Sequence, residues 1–297
     1  TVSSCCPFQR LLQIILIGPL TGQSFGSDTP ADRKIATTQH SLRRQAPTSA
    51  LRLFVSSSLP HYNPPMLEQR TAENGVVLFR SPLLERIGVP HAFSTRIGGV
   101  SAAPFDSLNL GNPNGCDIQD DLSNIARNYE RLMEACGLAG RRLVRVHQVH
   151  ADRVVWANAA NDICHEQADA IATRDPALAV SVRIADCVPI LLASDDGRTV
   201  AAVHAGWRGV VAGVTLRALE QLQTPPSRVY AAIGPSISFD AFEVGPEVIE
   251  AFERLMPNPP VRRRDDGKGH VDLRAVLRWQ LTQAGVPADH MDRTEAC

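Results

Sequence analysis

From residue 76 onward the chain alternates short apolar runs with Gly- and Pro-marked breaks, the pattern of strands and helices in close succession. VVLFRS (76–81) and HAFSTR (91–96) predict strands around a turn carrying Gly88 and Pro90, and 98–111 reads as loop. DDLSNIARNYERLMEACGLAG (120–140) predicts a helix: acidic and Ser caps stand at 120–123, and Ile125, Tyr129, Leu132, Met133 and Cys136 recur at helical spacing. Gly137 marks its stop. LVRVHQVH (143–150), RVVWAN (153–158), 178–194, TVAAVHAG (199–206) and VYAAIGPS (229–236) read as strands, and GVVAGVTLRALEQL (209–222) as a helix. A strand, tight turn, helix, strand progression predicts mixed α and β layers.

The pattern is absent upstream. Residues 1–65 are rich in Ser, Thr, Pro and Gln, have no sustained period, and precede Met66, the first methionine. Six basic side chains against two acidic ones give that segment +4 and leave −5 for the rest. The expectation is a disordered extension or translated upstream segment over 1–65 and a folded domain over 66–297, with its first strand near Val76. LLQIILIGPL (11–20) has the length of a signal-peptide core, but a single positive charge precedes it.

Composition narrows the class of function. With 44% hydrophobic and 21% charged residues in 297, a net charge of −1 and no basic run beside aromatics, the chain is expected to be globular, with neither a nucleic-acid surface nor a membrane span. Seven cysteines, an odd count without a regular framework, fit a reducing cytoplasm better than a disulfide scaffold.

Polar residues that interrupt the apolar runs are the candidate chemistry. His147 and His150 in HQVH, Cys187 in ADCVP and His204 in HAGWRG each stand at the end of an expected strand. Two imidazoles and a thiolate suit zinc and leave a fourth position open for water or substrate. The same residues also suit a Cys nucleophile with a His base, which needs no metal. Spacing leaves both open.

The ordered segments FSTRIGGVSAAPFDSLNLG, HQVH, ADAIATRDPALAVSVRIADCVPILLA, AAVHAGWRGVVAGV and AAIGPSISFDAFEVGPEV resemble the YfiH, or laccase-domain, family, also called multicopper polyphenol oxidase-like. The resemblance implies a single α+β (mixed α/β) domain with mixed β-sheets layered between helices. It implies a metal site of His150, Cys187 and His204, holding zinc or copper. It also implies a purine nucleoside phosphorylase that takes adenosine, inosine or guanosine with phosphate, deaminates adenosine and cleaves methylthioadenosine, acting as a monomer or homodimer. Three alternatives stand beside it: a copper polyphenol oxidase, a Cys-His hydrolase and an inert zinc-binding domain. The nine histidines include no His-x-His pair, which disfavours the first.

Phosphorolysis requires groups that hold an anion, and Arg96, Arg208 and, third, Arg183 are the candidates. Asn109 and Ser94 are candidates for ribose or base, and Trp207 for a core plug rather than a stacking face. Gly206 and Gly209 are expected to let the backbone turn tightly. Asp186, one position before Cys187, is expected on the opposite strand face, where it would orient a ligand or Arg183 without sharing the site directly. Two departures from relatives stand out: Asp240 and Ala241 replace a Cys pair, and the chain stops at Cys297, where relatives continue, so truncation is expected.

Overall fold

The apolar run 178–194 folds as two strands in different sheets, because the tripeptide Ala185, Asp186 and Cys187 bends the chain from one sheet into the other, and every strand residue except Arg183 is buried. In the computed structural model the described residues are 13–21, 66–112 and 117–297, all in one compact unit.

Its strands are β1 (Gln13–Ile17), β2 (Glu68–Thr71), β3 (Val77–Arg80), β4 (His91–Ser94), β5 (Arg142–Val144), β6 (Val154–Ala157), β7 (Ala170–Thr173), β8 (Leu178–Ile184), β9 (Val188–Ser194), β10 (Val200–Ala205), β11 (Val229–Ile233), β12 (Glu243–Val244), β13 (Val261–Arg263), β14 (Gly269–Val271) and β15 (Met291–Asp292). The helices are α1 (Pro82–Arg86), α2 (Leu122–Ala135), α3 (Trp207–Ala212), α4 (Val214–Gln221), α5 (Pro246–Leu255) and α6 (Leu273–Gln283). One sheet runs β2-β3-β4-β1-β8-β5, a second β15-β11-β9-β10-β7-β6, and a third β12-β14-β13. Parallel pairs β5/β8, β6/β7 and β11/β15 make the two large sheets mixed.

Side-chain alternation explains the layering. Val180, Val182 and Ile184 of β8 pack with Leu191, Ala193, Val200 and Ala202 of β9 and β10, filling the space between the two large sheets. Ala179 instead joins Leu78, Ala92 and α2 residues Leu132 and Met133 on the outer face of the first sheet. Ile190, Leu192, Ala201 and Val203 face Val214, Ala218, Phe252 and Leu277 of α4, α5 and α6 on the outer face of the second. Two mixed sheets lie between layers of helix, the α+β arrangement expected. Strands buried on both faces read as continuous apolar runs, as 178–194 does.

Several elements differ from expectation. QIILI, inside the segment expected to be an extension, is β1: it pairs antiparallel with β4 on one side and β8 on the other, and Ile17 is fully buried. Five consecutive residues suffice for a central strand, and residues 13–17 are part of the first sheet. The remainder of 1–65 apart from residues 13–21 lies outside the described residues. After β3, Ser81 caps α1 by accepting from the Leu84 N–H, with Pro82 in the first turn. Gly213, at φ 84°, divides the helix expected over 209–222 into α3 and α4. Of LVRVHQVH, only the start is strand, and the chain then leaves the sheet and makes an isolated bridge between His147 and Gln167 outside the named strands. Among the described residues no helix is long and apolar enough to cross a membrane.

Candidate metal centre

Three ends of the second sheet and one loop meet at the site. β10 delivers His204, and alternation puts it on the same face as Ala202, towards the first sheet. The β8–β9 bend delivers Cys187, and the irregular segment after β5 delivers His150. One potential ligand atom from each of these residues lies within 4.8 Å of the others. Cys187 Sγ is 3.8 Å from His150 Nε2, and the two imidazoles meet edge to face with ring centroids 4.7 Å apart. His204 is buried, Cys187 half-buried and His150 exposed, so the cluster opens to solvent on the His150 side. His147, the other HQVH histidine, is exposed and outside the cluster.

Behind His204 stands Asp169, fully buried at the entry to β7. Its Oδ1 lies 2.7 Å from His204 Nδ1, while its main-chain oxygen accepts from the His204 N–H at 2.8 Å. The carboxylate also accepts the backbone N–H groups of Val149, His150 and Ala151 at 3.2, 3.0 and 2.7 Å. Fixing Nδ1 on the carboxylate leaves Nε2 for the cluster, the usual partnership of a ligand histidine. Burial opposes charge on His204, but hydrogen bonds to Asp169 and Cys187 and their negative charge raise its pKa to about 9. His150 shifts the other way, lowered by burial, then by the charge of His204, with Arg208 adding to the effect. Asp169 is held below the usual carboxylate range: burial pushes it up, but the hydrogen bonds from His204 and the loop amides outweigh that. No sequence pattern singled out Asp169; its one signal is a carboxylate directly before an apolar strand in ADAIAT.

Gly206 closes the floor. Its φ of −71° is open to any residue, so the tight turn expected of it is not the reason for glycine. A Cβ there would lie 2.7 Å from His150 Cδ2 and 3.1 Å from Cys187 Sγ, so the glycine is required by the closeness of the two side chains. At Gly209 a Cβ would lie 3.0 Å from the Ala151 carbonyl oxygen, again a matter of close approach.

The other candidates fall in several places. Arg208 is exposed, with its guanidinium 4.4 Å from the centre of the Trp207 ring, and is close enough to His150 to lower its pKa. Trp207 is half-buried against the α4–α6 core, as a plug would be. Arg96 is exposed and donates to the Asp106 carbonyl at 2.9 Å. Arg183 is half-buried on β8, with its backbone bracketed by the Gln148 amide at 2.7 and 2.8 Å. Asn109 is 1% exposed and donates to Asp120 at 2.9 Å within a buried network, which makes it a brace of the 98–111 loop. Ser94 is buried at the end of β4. Asp186 lies in the bend, where strand alternation does not apply, and its carbonyl accepts from the Ile237 N–H at 2.9 Å. Asp240 pairs with Arg262 at 2.8 Å on the surface.

Known proteins align with this arrangement. Residues 90–297 match the family described as multi-copper polyphenol oxidoreductase laccase. The chain is 39% identical over 215 residues to the purine nucleoside phosphorylase of Deinococcus radiodurans, covering 71% of this chain and 80% of that protein. It is 36% identical over 222 residues to adenosine deaminase RL5 of an unknown prokaryotic organism, covering 69% and 83%. The crystal structure of YlmD from Geobacillus stearothermophilus superposes with a TM-score of 0.65 at 28% identity, over 79% of this chain and 89% of that one. A chain matched from β4 to its last strand, a span that holds all three cluster residues, with relatives that include a purine nucleoside phosphorylase named YfiH, belongs to the multi-copper polyphenol oxidoreductase laccase family, the YfiH-like proteins its motifs resemble.

Proposed function

We propose that the chain is a purine nucleoside phosphorylase that converts adenosine, inosine or guanosine and phosphate to free base and ribose 1-phosphate. At the same site it deaminates adenosine and cleaves methylthioadenosine. The observation that carries this reading is the convergence of His150, Cys187 and His204, backed by Asp169. Relatives at 34–39% identity named purine nucleoside phosphorylase, and one named adenosine deaminase, support the substrate class.

The donor set fits a metal ion. Two nitrogens and one sulfur face one another within 4.8 Å, and the Asp169 carboxylate fixes which nitrogen His204 presents. His150, Cys187 and His204 would hold the ion, which when bound would supply the Lewis acidity that lets water act as a nucleophile at neutral pH, the chemistry that deamination at purine C6 needs. The chain's own residues do the rest. Arg208, beside His150 and without a carboxylate partner among the described ion pairs, holds the anionic phosphate, with Arg96 as a second anchor. A phosphate oxygen forms the bond to ribose C1′ as the N-glycosidic bond breaks. That electron pair leaves on the purine nitrogen, which takes up a proton. The four described cysteines are free thiols, which suits the cytoplasm.

Among the described residues the only cluster of three or more candidate ligands is this one, too few donors for the several coppers of a laccase. A second reading has one observation in its favour: Cys187, His204 and Asp169 form a thiol, imidazole and carboxylate series. Phosphate-dependent release of hypoxanthine from inosine, abolished by chelation, supports the phosphorylase. Activity that survives chelation and is lost on alkylation of Cys187 supports the hydrolase.

A further inference from the structure

Each oxygen of the buried Asp169 carboxylate accepts two hydrogen bonds, and together they join all the pieces of the cluster except Cys187. Oδ1 takes the His204 ring N–H at 2.7 Å and the His150 backbone N–H at 3.0 Å. Oδ2 takes the backbone N–H groups of Val149 at 3.2 Å and Ala151 at 2.7 Å. Three consecutive amides turned onto one carboxylate require an unusual backbone, and His150 has φ 60°, in the left-handed region that costs a non-glycine residue about 1–2 kcal/mol. The carboxylate offsets that cost at the position where the loop presents its imidazole.

We infer that Asp169 is the positioning residue of the centre: one carboxylate sets both the backbone turn that delivers His150 and the ring nitrogen that His204 offers. The inference rests on the metal reading above only for its affinity readout. Neutralisation without change of size exposes the logic. An asparagine accepts with its oxygen but donates with its nitrogen, so in either orientation one pair of donors faces an NH2 group. With that NH2 towards His204, the imidazole must give up its proton at Nδ1 and carry it on Nε2, the nitrogen needed by the cluster. With it towards Val149 and Ala151, the His150 turn loses its two outer anchors.

The test compares wild type with Asp169→Asn and with Asp152→Asn, a surface carboxylate that pairs with Arg217 at 2.6 Å, as control. Zinc affinity is measured by competition with a chromophoric chelator, and the cobalt(II)-loaded chains are compared by their thiolate-to-metal charge-transfer bands. Asp169→Asn is expected to weaken zinc by roughly 10- to 100-fold and to alter the cobalt spectrum, with Asp152→Asn unchanged. Equal affinity and equal spectra in a folded Asp169→Asn chain overturn the inference. Amide exchange of the metal-free wild type decides independently of any variant's folding. Slow exchange at Val149, His150 and Ala151 supports the carboxylate clamp, and exchange at the rate of unprotected loop amides overturns it. A wild-type chain that takes up no zinc defeats the functional reading, and the exchange readout still decides this one.

Discussion

Cys187 Sγ lies 3.8 Å from His150 Nε2, although the two residues come from a sheet bend and a loop 37 positions apart. Gly206 lies against both. The approach is possible only because that third position has no side chain, and this makes the glycine a sensitive probe of the centre.

Gly206→Ala places a methyl group 2.7 Å from His150 Cδ2 and 3.1 Å from Cys187 Sγ, and one or both side chains must move. The backbone at 206 tolerates alanine, so stability falls by no more than about 1 kcal/mol, a helix-start effect. Zinc affinity and turnover fall sharply. Thermal melting together with metal titration checks the separation, and a variant that binds zinc like wild type contradicts the packing described.

Arg208→Ala removes an exposed guanidinium that rests over the Trp207 ring. Stability is expected to change by less than about 0.5 kcal/mol. Loss of a charge-assisted hydrogen bond to phosphate, worth about 1.5–3 kcal/mol, lowers kcat/KM for phosphate roughly 10- to 100-fold. Steady-state kinetics with phosphate varied at saturating inosine is the check, and an unchanged KM for phosphate removes Arg208 from the anion site.

His147→Ala is expected to leave zinc stoichiometry and phosphorolysis at wild-type levels, since His147 is exposed and outside the cluster. His150→Ala, three positions on, is expected to lose both. Metal analysis of the pair distinguishes the two histidines of HQVH.

Two histidines shape the pH dependence of the metal-free chain in opposite senses. His204 rises from 6.5 to about 9, so its contribution is complete below pH 6.5 and is lost as pH climbs through 9. His91, fully buried, falls from 6.5 to about 4, chiefly through burial, and its Nε2 accepts the Ser81 N–H. Its contribution is present above pH 6.5 and is lost as pH drops through 4. The two histidine contributions are therefore both present near pH 6.5 and fall away on either side, each limb worth a few kcal/mol at most. Zinc removes the alkaline limb, because a ligand histidine is neutral. Denaturant titrations from pH 4 to 9, with and without zinc, test both limbs; an alkaline limb that persists with zinc bound contradicts His204 as a ligand.

Much of the centre is legible in the sequence because His150, Cys187 and His204 interrupt apolar runs, where each needs a reason to be. The β10–turn–α3 passage through HAGWRG is legible for the same reason, from apolar runs on both sides of two glycines. Asp169 is not, because its role depends on amides at 149–151 that reach it only when β6 and β7 pair, and a lone Asp before a strand looks like turn chemistry. Asn109 invited a ligand role as a polar residue in a loop, whereas Asp120, eleven positions on, claims its amide. The strand at 13–17 was hidden because its neighbours in the sheet, β4 and β8, lie about 75 and 165 positions away, and no local pattern encodes such pairing.

The central claim is tested most directly by measuring metal content by mass spectrometry in the purified wild type and in Cys187→Ala, beside phosphate-dependent hypoxanthine release from inosine. The predicted result is one zinc per wild-type chain with turnover that requires phosphate, and loss of both in Cys187→Ala. A wild type without metal, or metal and turnover that survive the substitution, contradicts the account.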